Sequence, residues 1–109
     1  MLYVVTLNYV RPPEAIQTHL DSHREWLIEH TKSGHIIVAG PMDPPTGGIV
    51  LASCEDRSEL DKMLHTDSFY VNELVEYDIR AFNPALRGNI FAAQWAPQAK
   101  AVPTMDAIG

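Results

Sequence analysis

The chain opens on Leu2-Tyr3-Val4-Val5-Thr6-Leu7-Asn8-Tyr9-Val10, dense in β-branched and aromatic residues and closed by Arg11-Pro12-Pro13. That pattern predicts a first strand, apolar on most of both alternating faces and so covered on both. A helical stretch follows from Pro13 or Glu14 to Ser33. Pro13 suits its first turn, Gly34 its C′ position, and Lys32 the negative end of its dipole. Along it Ile16, Leu20, His23 and Leu27 share one stripe at i, i+4, i+7 and i+11, so an imidazole stands where the buried face calls for an aliphatic side chain. Residues 35–41 read as a second strand ended by Gly40-Pro41, and residues 42–48 as a turn-rich loop. Residues 49–54 form a third strand. Asp56 then N-caps a second helix from Arg57 to about Thr66, with Glu59 reaching back as in a capping box. Its apolar positions Leu60, Met63 and Leu64 lead at the same spacing to Asp67, a second polar residue on an inward face. Asp67-Ser68-Phe69-Tyr70 opens a further helical turn to about Leu74. Residues 75–82 alternate cleanly as a fourth strand, stopped by Asn83-Pro84.

The order βαββαβ is that of a ferredoxin-like α+β fold: a four-stranded antiparallel sheet with two helices on one face. Two helices cover one side only, yet the first three strands are apolar on both. The uncovered side therefore asks for a second copy, sheet to sheet, in a two-fold homodimer. Residues 1–83 make the domain, and residues 84–109 change character to an Ala- and Pro-rich extension. The extension is expected to pack on the body or on the partner through Ile90, Phe91 and Trp95, and to fray beyond about Pro97.

Composition narrows the function. At 109 residues the chain holds one domain. A net charge of -6, with 8 scattered basic residues, argues against a nucleic-acid partner. No apolar stretch approaches the roughly 20 residues of a membrane helix. The chain starts directly in a strand-like run without a basic leader, so a cytoplasmic protein is expected. The single cysteine, Cys54, excludes an intrachain disulfide and reads as a buried, inert thiol.

His23 is the first candidate for chemistry, since an imidazole titrates near neutrality and can act as acid or base. Asp67 can supply the carboxylate that holds the ring in one tautomer. Its structural alternative is an N-cap for the turn that begins at Ser68. His19 and His23 at i, i+4 could chelate a metal, but no Glu follows His19 and Cys54 has no companion, so solvated histidines are the default and no metal is expected. Gly47-Gly48 precedes a strand, not a helix, and is turn chemistry instead of a phosphate loop. No serine or cysteine sits in a setting for covalent catalysis. Trp26, beside the His23 stripe, is core or pocket wall; Tyr3 and Arg80 are strand residues of undetermined facing.

Several motifs in order resemble the YCII-related (YciI-like) family. They are His23 followed by Trp26-Leu27, then Gly34, a strand ending Ala39-Gly40-Pro41, Gly47-Gly48 at the third strand, and Asp67-Ser68-Phe69. With the first strand, the resemblance covers residues 1–83. It implies a dimeric α+β barrel, as in muconolactone isomerase, whose cleft holds a helix-one His and the Asp of an Asp-Pro-Phe/Tyr motif. Those map onto His23 and Asp67, with Ser68 where the motif usually carries Pro. Trp26, Gly40 and Pro41 are then the candidate substrate-binding residues.

The family includes a dehydrochlorinase of a chlorinated hydroxyhydroquinone, an acid–base elimination without cofactor. The expected function is accordingly a small cofactor-independent lyase or isomerase acting on a small cyclic or aromatic-derived molecule. A non-catalytic dimeric binding or accessory module is the alternative, and a cofactor-free monooxygenase a further one.

Overall fold

The computed structural model of the chain describes residues 1–105. β1 spans Leu2–Tyr9, followed by two consecutive helices, α1 at Pro13–Thr18 and α2 at Leu20–Lys32. The hairpin strands β2 (Ile36–Pro41) and β3 (Gly47–Ser53) come next, then α3 (Arg57–Leu64), a single turn α4 (Ser68–Val71) and β4 (Val75–Phe82). The four strands form one sheet in the order β2-β3-β1-β4, every neighbouring pair antiparallel. This is the ferredoxin-like α+β arrangement that the order of elements predicts.

Register settles which side chains face the helices. Val5 lies opposite Val50 on one side and Ile79 on the other, and Leu7 lies opposite Gly48 and Tyr77. These positions, with Tyr3 and Ala52, form the floor on which Ile16, Trp26, Leu60, Met63, Leu64 and Phe69 pack. The intervening positions Val4, Thr6, Ile49, Leu51 and Arg80 face the other way, on the side without helices. Val38 and Phe82 are exposed there.

Three local features differ from the sequence expectation. The first helical stretch is interrupted: His19 leaves helical geometry (φ -110°, ψ 11°), capping α1 and starting α2. Its carbonyl oxygen is shared by His23 N at 3.1 Å, Ser22 Oγ at 3.0 Å and Ser68 Oγ at 3.3 Å, so the break is tied to α4. The buried stripe is also rotated, because Trp26 is the one fully buried residue of α2 while Leu20, His23 and Leu27 are half-buried. Finally, the chain beyond Pro97 is paired: β5 (Leu86–Gly88) and β6 (Lys100–Val102) form a parallel two-stranded ribbon around a 3₁₀ turn at Ala93–Trp95. Arg87 Nη1 donates to Phe91 O at 2.9 Å, and Thr104 Oγ1 to Asn89 Oδ1 at 2.8 Å, closing the extension on itself. Ile90 is 87% exposed and anchors nothing. The expected fraying of residues 106–109 lies outside the described residues.

The ends of the elements follow local chemistry. Gly34 takes φ +87° after α2, with Gly34 N bonded to Thr31 O and His35 N to His30 O, the paired bonds of a Schellman ending. Asp56 accepts from Glu59 N at 2.9 Å, and Glu59 in turn accepts from Glu55 N instead of the cap residue's own amide.

Candidate active site

The site forms at the end of the sheet where β1 finishes, β3 starts and β2 closes. Antiparallel pairing brings Tyr9, Gly47-Gly48 and Gly40-Pro41 together there, under the first turns of α2 and beside α4. Gly47 is required by this geometry, because a Cβ at that position would collide with the Leu7 carbonyl of the neighbouring strand. The result is a pocket of about 160 Å³. Its walls are mostly apolar: Leu7, Leu20, Leu27, Val50 and Phe69 contribute side chains. Among the described residues its only polar side chains are those of Tyr9, His23 and Arg24.

His23 stands between this pocket and Asp67. Its Nδ1 lies 2.8 Å from Asp67 Oδ1 and 2.9 Å from Oδ2. The Asp67 side chain is 0% exposed and His23 is 12% exposed. Asp67 also accepts from Phe69 N at 3.1 Å, as the N-cap of α4. The two roles open to this carboxylate, cap and histidine partner, are filled at once. A buried carboxylate with two donors satisfies the rule that interior charge be paired and hydrogen-bonded.

A carboxylate is an acceptor only, so Nδ1 must carry the proton toward it. In the neutral ring Nε2 is then the basic nitrogen. Among the described residues Nε2 has no protein partner, and no buried side-chain nitrogen or oxygen is left without one. Nε2 is therefore the nitrogen that solvent, or a molecule in the pocket, can reach.

Aromatic contacts fix the ring plane. His23 stacks on Phe69 with centroids 3.9 Å apart and planes 3° from parallel, and lies 5.8 Å from Trp26 at 21°. Phe69 is itself braced by the edge of Tyr9. Trp26 is held by Nε1 donating to Met63 O at 3.0 Å and Thr66 Oγ1 at 2.9 Å. Tyr77 donates to Leu64 O at 3.3 Å beneath the site. Burial, reinforced by the Asp67 carboxylate, pushes its hydroxyl well above the usual tyrosine range. Burial also lowers the pKa of His30, whose ring meets the edge of Trp26. Ser68, at the position where the family motif usually has Pro, has Oγ 2.7 Å from Ser22 Oγ and so joins α4 to the start of α2.

The sequence-derived candidates separate accordingly. His23 and Asp67 meet, and Gly40 and Pro41 line the pocket beside His23. Trp26 is buried behind the imidazole and lies outside the lining, because its indole N–H is turned into the α3 end. Tyr3 is buried in the core and Arg80 is exposed on the helix-free face. His19 Nδ1 faces Asn72 Nδ2 at 3.5 Å while His23 Nδ1 is committed to Asp67. Among the described residues no three His, Cys, Asp or Glu side chains converge as a metal would need. Tyr9 and Arg24 lie outside the helical stripe that marks His23. Tyr9 continues the period-two face of Val5 and Leu7, a readable signal, whereas Arg24 is visible only as the neighbour of His23.

Comparison with known proteins agrees with this geometry at the level of fold and family. No curated protein matches the sequence significantly. Among solved structures, the 5-chloro-2-hydroxyhydroquinone dehydrochlorinase TftG of Burkholderia phenoliruptrix, in complex with 2,5-dihydroxybenzoquinone, superposes with a TM-score of 0.60. The two are 19% identical, and the match covers 77% of this chain and 95% of that one. The YCII-related domain matches residues 1–83, which carry the whole sheet, the helices and the His23–Asp67 pair, and the chain belongs to that family.

Proposed function

We propose that this protein is a small cofactor-independent lyase or isomerase in which His23 moves a proton on a monocyclic substrate and Asp67 holds His23 in place. One observation carries the reading: a fully buried carboxylate takes Nδ1 and leaves Nε2 at a small, mostly apolar pocket. In the step envisaged, Nε2 accepts a proton from a ring carbon or hydroxyl, and the imidazolium charge forms beside Asp67. Returning that proton to another ring atom is isomerisation; departure of chloride with the bonding electron pair is elimination. The dehydrochlorinase named above performs a reaction of the second kind and supports this choice of class. The volume supports a single ring, because a cavity of roughly 150 Å³ accepts a benzene-sized molecule. Gly40 and Pro41, at one wall, are the proposed substrate contacts.

The working unit is a homodimer formed through the helix-free sheet face, supported by the exposed Val38, Ile49 and Phe82 there. Residues 84–109 form its extension. The single, buried thiol suits a cytoplasmic setting, and no helix among the described residues is long and apolar enough to cross a membrane.

The test is turnover of dienolactones and chlorinated hydroquinols, followed by ultraviolet absorbance and chloride release, with light scattering for the assembly. Replacement of His23 by Ala should lower the rate by about 10²–10⁴-fold, the usual share of one positioned acid–base group. Full activity in His23→Ala would remove the role. Saturable binding without turnover would favour the alternative of a binding module, and oxygen consumption that of a monooxygenase.

A further inference from the structure

Among the described residues Arg24 is the one permanently charged side chain in the pocket lining. It follows His23 on α2 and so stands at the same mouth, about 100° further round the helix. A helical arginine can pair with a carboxylate three or four positions away. Here Asp21 stands three positions before it and Glu25 is the next residue, yet among the described residues Arg24 makes no ion pair and no hydrogen bond. The contrast with Arg57, bonded through Nε to Asp61 at 2.9 Å, is local. An unpartnered guanidinium at an apolar pocket, in a chain of net charge -6, is a specific attraction for a negative group against an unfavourable overall field.

We propose that Arg24 is a specificity-determining residue: it selects ring substrates that carry an anionic oxygen, a carboxylate or an ionised enol or phenol, and holds that oxygen at the mouth while the ring enters the apolar interior. The inference rests on the same pocket as the proposed proton transfer and names its substrate class. Guanidinium is always protonated and forms forked bonds to paired oxygens, so the preference does not vanish when His23 is neutral. The other titratable groups in this lining are His23 and Tyr9, while the Asp67 carboxylate lies behind His23, fully buried and outside the lining. Tyr9 adds a neutral hydroxyl to the same lining. With His23 neutral, Arg24 is the only cation left in that wall.

The experiment compares binding of two matched probes, 1-cyclohexene-1-carboxylate and the corresponding carboxamide, to the full chain by heteronuclear NMR titration. The titrations are run where the same spectra show the His23 ring to be neutral, so that it contributes no charge. The parent should bind the carboxylate about 10-fold or more tightly than the amide, as expected for a charge-assisted hydrogen bond. In Arg24→Gln the ratio should fall to about one through loss of carboxylate affinity, while Arg24→Lys should keep part of the preference and lose it as salt is raised. Thermal unfolding of both variants should match the parent, since the side chain is exposed. Equal affinity for the two probes, no detectable binding of either, or an undiminished preference in Arg24→Gln would overturn the proposal. Because binding is read without turnover, a lost preference in Arg24→Gln stands even if His23 proves non-catalytic. A His23-dependent activity on neutral rings would refute the anion site and leave the acid–base reading intact.

Discussion

Removing the Asp67 carboxylate should damage the fold as well as the chemistry, by an amount that follows from its contacts. Asp67→Ala leaves two donors without their acceptor: His23 Nδ1–H and Phe69 N–H, the latter buried at the start of α4. An orphaned buried donor costs about 1–3 kcal/mol. His23 is 12% exposed, so water can partly replace its partner and the lower end applies there. Phe69 N is the helix amide that donates to the Asp67 cap, and its orphaning already includes the cap contribution of about 1 kcal/mol. The sum is about 2–4 kcal/mol, a large part of the 5–15 kcal/mol typical of a domain. Asp67→Asn keeps an acceptor oxygen in place and should cost about 1 kcal/mol or less. Urea unfolding at neutral pH, with equal m-values required, measures both variants. A double-mutant cycle with His23→Gln should give a coupling of about 0.5–3 kcal/mol, as for side chains in direct contact. A loss below about 1 kcal/mol in Asp67→Ala, or zero coupling to His23, would show that the carboxylate does not hold the ring.

Two glycines of the pocket wall should respond in opposite ways. Gly47→Ala drives a Cβ into the Leu7 carbonyl and should cost about 3 kcal/mol or prevent folding, whereas Gly40→Ala meets open space and should stay within about 0.5 kcal/mol, both read by thermal unfolding. Cys54, 4% exposed, has its thiol pushed by burial from 9.0 up to about 11. Between those two values the unfolded chain has lost this proton and the native chain has kept it, so the unfolded state binds fewer protons and stability falls as pH rises. The thiol's contribution is thus complete below pH 9 and lost by about pH 11, at most about 3 kcal/mol in all. Cys54→Ala should flatten that part of the stability–pH curve, and an unchanged slope would contradict it.

Much of this architecture was legible because local chemistry and burial agree. The fourth strand, Val75–Phe82, has an apolar–polar alternation and a hard stop at Asn83-Pro84, and its bounds coincide with the expectation. Asp56 and Gly34 announce helix ends through side chain or φ alone. The break at His19 was not legible, since the bonds that stabilise it come from Ser22 and from Ser68, 49 residues away. Helical periodicity marks His23 but leaves Trp26 open between core and pocket wall: it is core, because a large indole with an N–H is buried when acceptors such as Met63 O and Thr66 Oγ1 are in reach, and no local pattern reports them. The Asp67 contact was readable as a possibility from two inward-facing helix positions, though not as a distance. Arg24 was least visible. It lies off the buried stripe, and only the closure of Gly40-Pro41 and Gly47-Gly48 toward α2 places it at a pocket.

The most direct test of the site is the tautomer of the neutral His23 ring, measured by long-range ¹H–¹⁵N NMR in the parent and in Asp67→Ala. With Nδ1–H donated to the buried carboxylate, the parent should show a protonated Nδ1 and a bare, pyridine-like Nε2, and this preference should weaken in Asp67→Ala. A parent ring protonated at Nε2 would mean that its basic nitrogen faces Asp67 instead of the pocket, and His23 could not serve as the base.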